Sequence, residues 1–584
     1  MPYSSKTAPK RSFHRSGPLS RLLLLATGPL MLALGCGEDV TRNYITNVYG
    51  DGGADDQPPV TSAGKGGSGG KGGSSGSSSQ GGDTGEAGGS GGEAGEYVSP
   101  YPGAPQADTA VADHEPDLFG VIGNRFWFGV SDEQLEQMNA LAGGGGPWNP
   151  YGDIYQPGGG SGEGNYADHL WVTTAGADPK TADYGQVQVK IVGQSTMRQW
   201  TPNSIPNLNV DFDEFVEDQR IGVFEHLRFN NALVGSIFRE RITLELYNRL
   251  GYPAPRTTYA WVSSNVWGPN IAVPYIMVER YKPTFCEHQK DNIGGGCANI
   301  WEFAGDLGGY WGYPGEDAPS VFDDPEVCEF NECDNTRAKE FETAVRETPE
   351  GPGYKAALAS WLDWPSFHAF QCLSWILATG DDALHNTNNV VIMERGDGLF
   401  QYLPYSVDIS LGQEWYPTVP LPGSNSIARG CQSDDVCWED TIATCEQLIT
   451  DFTALDPGAL LDSVYEQLTD EGMIRSGDEG RYEFLSNWFE SRLVDLPVEL
   501  EYFREPPMCP YPDMVDCGGY CDYYWNCEGN CGPMPPPPIM EAAGGAPGAG
   551  GAGPVGDAGA GGSPDVGQGG GGGVVCNPIE YYGL

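Results

Sequence analysis

The sequence predicts an α+β fold in two lobes, and three observations carry that prediction. A strand-rich first part precedes a helix-rich second part, and "IMVERY" (276–281) joins them. The chain has 584 residues, but 85 are Gly and 46 are Pro, and much of the Gly lies in two tracts. The foldable body is therefore about 400 residues, enough for one large or two medium domains.

Taken in order, "RFWFGVSDEQLEQMNAL" (125–141) reads as a strand and then a helix. Ser131 stands at the N-cap and Gln134 at the capping-box position. "QVQVKIVGQS" (186–195) and "NLNVDFDEF" (207–215) alternate as strands do. "SIFRERITLELYNRLG" (236–251) has apolar residues at helical spacing and a Gly stop. "TTYAWVSSN" (257–265) and "IAVPYIMVERY" (271–281) return to strand character. "PSFHAFQCLSWILAT" (365–379) is apolar nearly all round, the mark of a buried helix. "NVVIMERGDGLFQYLPYSVDIS" (389–410) predicts a hairpin turning on Gly396-Asp397-Gly398. Between these last two lies "GDDALHNTNN" (380–389), dense in acids and amides. It is either a solvated turn or a place where carboxylates and amides hold a metal and a substrate.

The flanks speak for the compartment. Lys6, Lys10, Arg11, Arg15 and Arg21 precede an apolar run of thirteen residues (22–34), too short to span a membrane comfortably. "ALGC" then places Cys36 where a lipobox has its lipidated cysteine. The expected organisation is a lipoprotein signal peptide (1–35), a Gly/Ser tether (36–111), the body (112–500), a Cys-rich segment (501–531) and a Gly/Pro-rich tail (532–584). Such a chain is expected at the outer membrane, anchored by lipid at Cys36 and facing the periplasm or the surface. Setting Cys36 aside leaves fourteen cysteines, an even number that predicts disulfides in an oxidising compartment. The C-terminal cluster contains neither CxxC nor His, which argues against zinc. A net charge of −49, with 31 Lys and Arg against 80 Asp and Glu, argues against nucleic acid as a partner, whose phosphates need cations to neutralise them. No HExxH and no Gly-x-Ser-x-Gly between a strand and a helix is present, which disfavours a hydrolase.

Five blocks in order resemble the CotH spore-coat kinases, a family of atypical protein-kinase-like proteins. "VKIVGQST" (189–196) is similar to that family's strand ending in Arg-Gly-(Asn/Gln)-Ser-Ser. "RIGVFEHLRFNNALVGSIFRERITLELYNRLGYPAPRTTYAWV" (220–262) resembles its core block and "IMVERY" the segment that follows. "GDDALHNTNNVVIM" (380–393) and "YLPYSVDISLG" (402–412) look like its catalytic and metal loops. The resemblance implies a two-lobed kinase-like fold that binds ATP and Mg²⁺ and phosphorylates Ser or Thr of an envelope or surface protein.

On that resemblance Asp382 is the expected general base, with Asp381 the close alternative. Asp408 is the metal carboxylate, and Asn389 or Asn386 an amide ligand. Glu240 occupies the helix position of the acid that pairs the phosphate-binding Lys. The family's Lys is absent from 201–212, and Arg198 is the substitute in view. The departures continue with Val192 where the glycine loop carries Arg, and Ser406 where the metal loop carries Asp. His385 either steers the base or caps the turn. Against the active kinase stands a catalytically inactive kinase-fold component of the cell envelope.

Overall fold

A computed structural model describes residues 101–142, 165–193, 198–232, 236–308, 320–324, 327–330, 332–413, 418–421 and 423–504. The leader, Cys36, most of the tether, the cysteines from Cys509 onward and the tail lie outside the described residues, as do 194–196 of the first resemblance block.

The first half builds one sheet of nine strands. β1 (Asn124–Gly129) is followed by α1 (Asp132–Ala142) and then by β2 (Tyr166–Ala167), β3 (His169–Thr173) and β4 (Thr181–Asp183). β5 (Val187–Val192), β6 (Asn207–Asp211) and β7 (His226–Asn230) form a meander that leads into α2 (Arg239–Arg249). β8 (Thr257–Ser264) and β9 (Ala272–Glu279) complete the sheet, in the order β2-β5-β6-β7-β9-β8-β1-β3-β4. All its pairings are antiparallel except β1 with β8. The capping box expected of Ser131 and Gln134 is not made. Asp168 Oδ2 accepts the Ser131 N–H at 2.7 Å, and the buried Gln134 Oε1 has no hydrogen-bond partner.

The helical half follows β9. It comprises α3 (Pro283–His288), α4 (Lys290–Ile293), β10 (Cys297–Phe303), α5 (Asn335–Glu347), α6 (Tyr354–Ala357) and α7 (Trp364–Ile376). β11 (Val390–Arg395) and β12 (Phe400–Leu403) then join β10 in a three-stranded sheet. Gly398 turns their hairpin at φ +83°, where a residue with a Cβ would be strained. α8 (Ser426–Gln432), α9 (Asp435–Leu455), α10 (Pro457–Asp470) and α11 (Asp478–Arg504) close the half. α11 runs past residue 500, so the boundary expected there falls inside a helix. α7 is buried on nearly every face, as its composition predicts.

The large sheet separates two cores. Val189, Ile191, Leu208, Val210, Leu227, Phe229 and Met277 pack into one. Tyr259, Ile276 and Val278, on the other face, join α2 and the helical half in the second. On this second face β6 and β7 carry polar side chains instead: Asn209, Asp211, His226, Arg228 and Asn230. An apolar sheet face interrupted by a polar strip marks where the two halves enclose a cleft.

Eight cysteines of the body form four disulfides: Cys286–Cys297, Cys328–Cys333, Cys372–Cys445 and Cys431–Cys437. Three join close sequence neighbours. The fourth ties α7 to α9 across 73 residues.

Candidate active site

Two loops reach the cleft from the helical half. The first, 380–389, leaves the end of α7; the second, 402–412, follows β12. Backbone bonds hold them side by side: Gly380 N–H to Ile409 O at 3.1 Å and Leu411 N–H to Leu377 O at 2.7 Å. Of the nine non-Gly residues with positive φ among the described residues, five lie on these loops or at their roots. They are Ala378, Thr387, Asn389, Ser406 and Leu411, at +48° to +52°. Left-handed backbone costs free energy for residues with a Cβ, and it concentrates where packing must hold polar groups in place.

The adjacent aspartates have opposite surroundings. Asp382 is 5% exposed and has no oxygen left for a ligand. Its Oδ1 accepts from the N–H of Leu384 at 3.0 Å and of His385 at 2.9 Å, and from His385 Nδ1 at 2.9 Å. Its Oδ2 accepts from the Thr379 hydroxyl at 2.8 Å and from that of Ser374. Burial favours the neutral acid, but the charge and hydrogen bonds of His385 outweigh it and hold the pKa below its usual value. His385 places its other nitrogen 2.8 Å from Pro420 O. With acceptors at both nitrogens both carry protons, so the ring is an imidazolium. Burial opposes that charge, yet Asp382 and the Pro420 carbonyl raise the His385 pKa. His385 thus closes the turn through Asp382 and the Pro420 carbonyl.

Asp381 is half-buried and faces the cleft. The side-chain amides of Asn386, Asn388 and Asn389 all donate to its carboxylate, the last two at 3.1 Å. Asn389 also donates to the Asp381 carbonyl at 2.7 Å. On the neighbouring loop the Ser406 hydroxyl donates to Asp408 Oδ1 at 3.2 Å. Burial raises the Asp408 pKa; Arg228 opposes the rise and the nearby Asp381 charge adds to it. Asp381, Asn389 and Asp408 thus share one electronegative corner. The order expected from the sequence is reversed: Asp382 is the buried keystone of the loop, and Asp381 is the carboxylate open to a ligand.

The opposite wall comes from the sheet and α2. Glu240 is 1% exposed, accepts a bond from Asn230, and leaves Oε2 without a hydrogen-bond partner. Burial pushes its carboxyl up to about 7; Arg228 pulls it down and Asp408 adds to the rise. Arg228 projects from β7 over the Tyr405 ring at 5.0 Å, its Nε without a hydrogen-bond partner. Burial opposes its charge, but Tyr405, Glu240, Glu302 and Asp408 together keep it protonated. α2 is tied to the second loop by Thr243 to Ser410 at 2.7 Å and by Arg239 Nη2 to Gly412 O at 2.8 Å.

Arg198 requires a correction. It is an exposed residue beside 194–197, and the cation acting on Glu240 and Asp408 is Arg228. The reason is topological. The strand leading into α2 is β7, and β7 lies next to β9 in the sheet, over the cleft. Sequence reasoning missed Arg228, although a signal was present. "HLRFN" (226–230) alternates polar with apolar residues just before the helix that carries Glu240.

Behind Arg228 the cleft is closed by further charge. Arg280 lies 3.1 Å from Glu329 and 3.7 Å from Asp211, and Lys282 Nζ is 3.5 Å from Glu329. Burial and the Glu329 charge raise Glu302 to about 7. The cavity lined by Arg228, Glu240, Arg280, Glu302 and Tyr405 is only about 20 Å³, room for a single water.

Residues 199–453 match the family model described as CotH kinase protein. No curated protein matches the chain. Among solved structures, a chain of the Shewanella oneidensis MR-1 toxin–antitoxin complex of HipA, HipB and its operator DNA is similar at 12% identity. That match covers 48% of this chain and 59% of the other, with a TM-score of 0.25. So loose a superposition decides nothing about chemistry.

Proposed function

We propose that the cleft transfers the γ-phosphate of ATP to a Ser or Thr hydroxyl of an envelope protein, a reading supported by the match of residues 199–453 to the family model described as CotH kinase protein. The observation that carries this reading is the meeting of Arg228 and Glu240, from the sheet and α2, with Asp381 and Asp408 from the two loops. Kinases place the cation on the strand before the helix that carries its acid partner. β7 and α2 have that order here. A kinase catalytic loop also sets its base and its metal-binding Asn five residues apart, as Asp381 and Asn386 stand.

The residues present fit both ATP and a magnesium ion. Asp408 with the amide oxygen of Asn386 or Asn389 is a hard oxygen donor set. The Arg228 Nε and Glu240 Oε2, buried without partners, mark polar capacity the protein does not itself satisfy. Bound Mg²⁺ supplies neutralisation of phosphate charge. Arg228 would receive phosphate oxygens, the nearby Glu240 charge would favour its guanidinium there, and Asp381 would accept the proton of the acceptor hydroxyl. Asp382 and His385 act through the loop, as positioning residues. Four disulfides support an oxidising compartment, which agrees with a lipid-anchored protein at the cell surface or in the periplasm.

One observation favours the inactive envelope component instead. Arg228 already stacks on Tyr405 among Glu240, Glu302 and Asp408, and the cavity beside it holds about one water. The two readings separate on Mg²⁺-dependent ATP binding by the purified chain. Under the kinase reading binding is saturable, at least tenfold weaker in Asp408→Ala and in Arg228→Met, and Asp381→Ala binds ATP but transfers no phosphate. Binding absent from the wild type, or indifferent to both substitutions, leaves the inactive component.

A further inference from the structure

Outside these catalytic loops, the β6–β7 turn brings together a second group of ligating side chains. His226 and Asp211 face each other across the ladder. Asp211 Oδ1 lies 2.8 Å from His226 Nδ1, and Asp211 is itself buried, with Lys190 at 3.8 Å and Arg280 at 3.7 Å. A ring whose Nδ1 is engaged by a fixed carboxylate has Nε2 as its available ligand atom. That Nε2 faces Asp213 Oδ1 at 4.0 Å, beyond hydrogen-bond range. Glu225 completes the group, and the ligating atoms of Asp213, Glu225 and His226 all lie within 4.8 Å of one another. Two carboxylates and an imidazole nitrogen this close together form a donor set that a cation would stabilise.

We propose that His226, Asp213 and Glu225 form a binding site for a divalent cation of the zinc class. Ligands about 2.0–2.2 Å from such an ion lie roughly 3.4–4.2 Å apart at angles between tetrahedral and linear. The observed spacings, 4.0 Å between His226 Nε2 and Asp213 Oδ1 and none above 4.8 Å, close onto an ion with side-chain adjustments on the order of an ångström. Asp211 lies outside the ligand set and supplies the independent argument: a carboxylate on the far nitrogen is how metal-bound imidazoles are held in tautomer and orientation. One imidazole and two carboxylates leave a fourth position for water. The side chains of Asp213 and Glu225 are 32% and 36% exposed, so an ion reaches them from solvent. Arg220, 3.3 Å from Glu225 Oε1, is the competing cation. Occupancy would staple the 212–225 connection at the root of β7, two residues before Arg228 and on the same face of the strand.

The test is calorimetric titration of the full chain with ZnCl₂. One tight equivalent is expected, weakened at least tenfold in His226→Ala and in Asp213→Asn and unchanged in Asp408→Ala. Where His226→Ala is unfolded by circular dichroism, Asp213→Asn, a partly exposed position, carries the test alone. No saturable zinc binding, or equal affinity in wild type and Asp213→Asn, overturns the site. Loss in Asp408→Ala assigns the ion to the cleft and overturns it as well. ATP binding is not measured, so failure here leaves the kinase reading untouched.

Discussion

Replacing Asp382 by Asn keeps the side chain's shape and removes its charge. The carboxylate accepts five hydrogen bonds in a site only 5% exposed, two of them from His385. Removing one partner of a buried ion pair costs about 3–5 kcal/mol, and the retained amide oxygen argues for the lower end. Unfolding entropy of about 2.1 cal/mol/K per residue over a body of roughly 400 residues gives about 0.8 kcal/mol/K, so a loss of about 3 kcal/mol lowers Tm by about 4 °C. The effect depends on pH. His385 has a raised pKa in the fold, so its contribution is complete below the unfolded value near 6.5 and disappears as pH rises through the folded value. Asp382 has a lowered pKa, so its contribution is complete above the unfolded value near 3.8 and disappears as pH falls through the folded one. The Tm difference between wild type and Asp382→Asn is therefore widest from about pH 4 to 6.5 and narrows on both sides. Scanning calorimetry at a series of pH values checks this. A difference that stays constant from pH 4 to 9, or no difference at all, would refute the assignment of the loop to this ion pair.

Glu240→Gln is expected to raise Tm at pH 8 and to leave it nearly unchanged at pH 4. The buried wild-type carboxyl titrates at about 7 against an unfolded value near 4.5, so its ionisation in the fold costs stability above that pH. Arg228→Lys is expected to retain measurable Mg²⁺-dependent ATP affinity where Arg228→Met loses at least tenfold, because a compact cation replaces the charge but not the planar stacking on Tyr405. Cys372→Ala with Cys445→Ala is expected to destabilise by up to about 4 kcal/mol, the chain-entropy value for so long a closed loop, read by urea denaturation of the oxidised protein. A loss below about 1 kcal/mol would mean that packing between α7 and α9 already supplies the constraint.

The parts of the fold legible in the sequence were those with strong periodicity. β5, β8, β9, α2, α7 and the β11–β12 hairpin fall where alternation and helical spacing put them. β2 and β4 have two and three residues, too few for a period to register. The capping box failed because a distant carboxylate, Asp168, took the N–H that a local Gln134 was expected to satisfy. Among site residues, Asp381, Asp408, Asn389 and Glu240 meet because two loops and one helix share the cleft wall. Which of the paired aspartates faces the cleft depended on burial, which adjacent positions in a chain do not reveal. Arg228 is hidden in the sequence for a related reason: distance along the chain from the glycine strand does not reveal which strand overhangs the cleft, whereas sheet order does.

The bond between Cys372 and Cys445 encloses more than a helix pair. Both loops of the candidate site, 380–389 and 402–412, lie inside the 73-residue span it closes. In covalent terms the chemistry sits on a ring. A protease that cuts once anywhere between these cysteines opens the ring but separates nothing, and both fragments keep their attachment to α7 and α9. A chain nicked once beside its own site therefore still holds the two loops together.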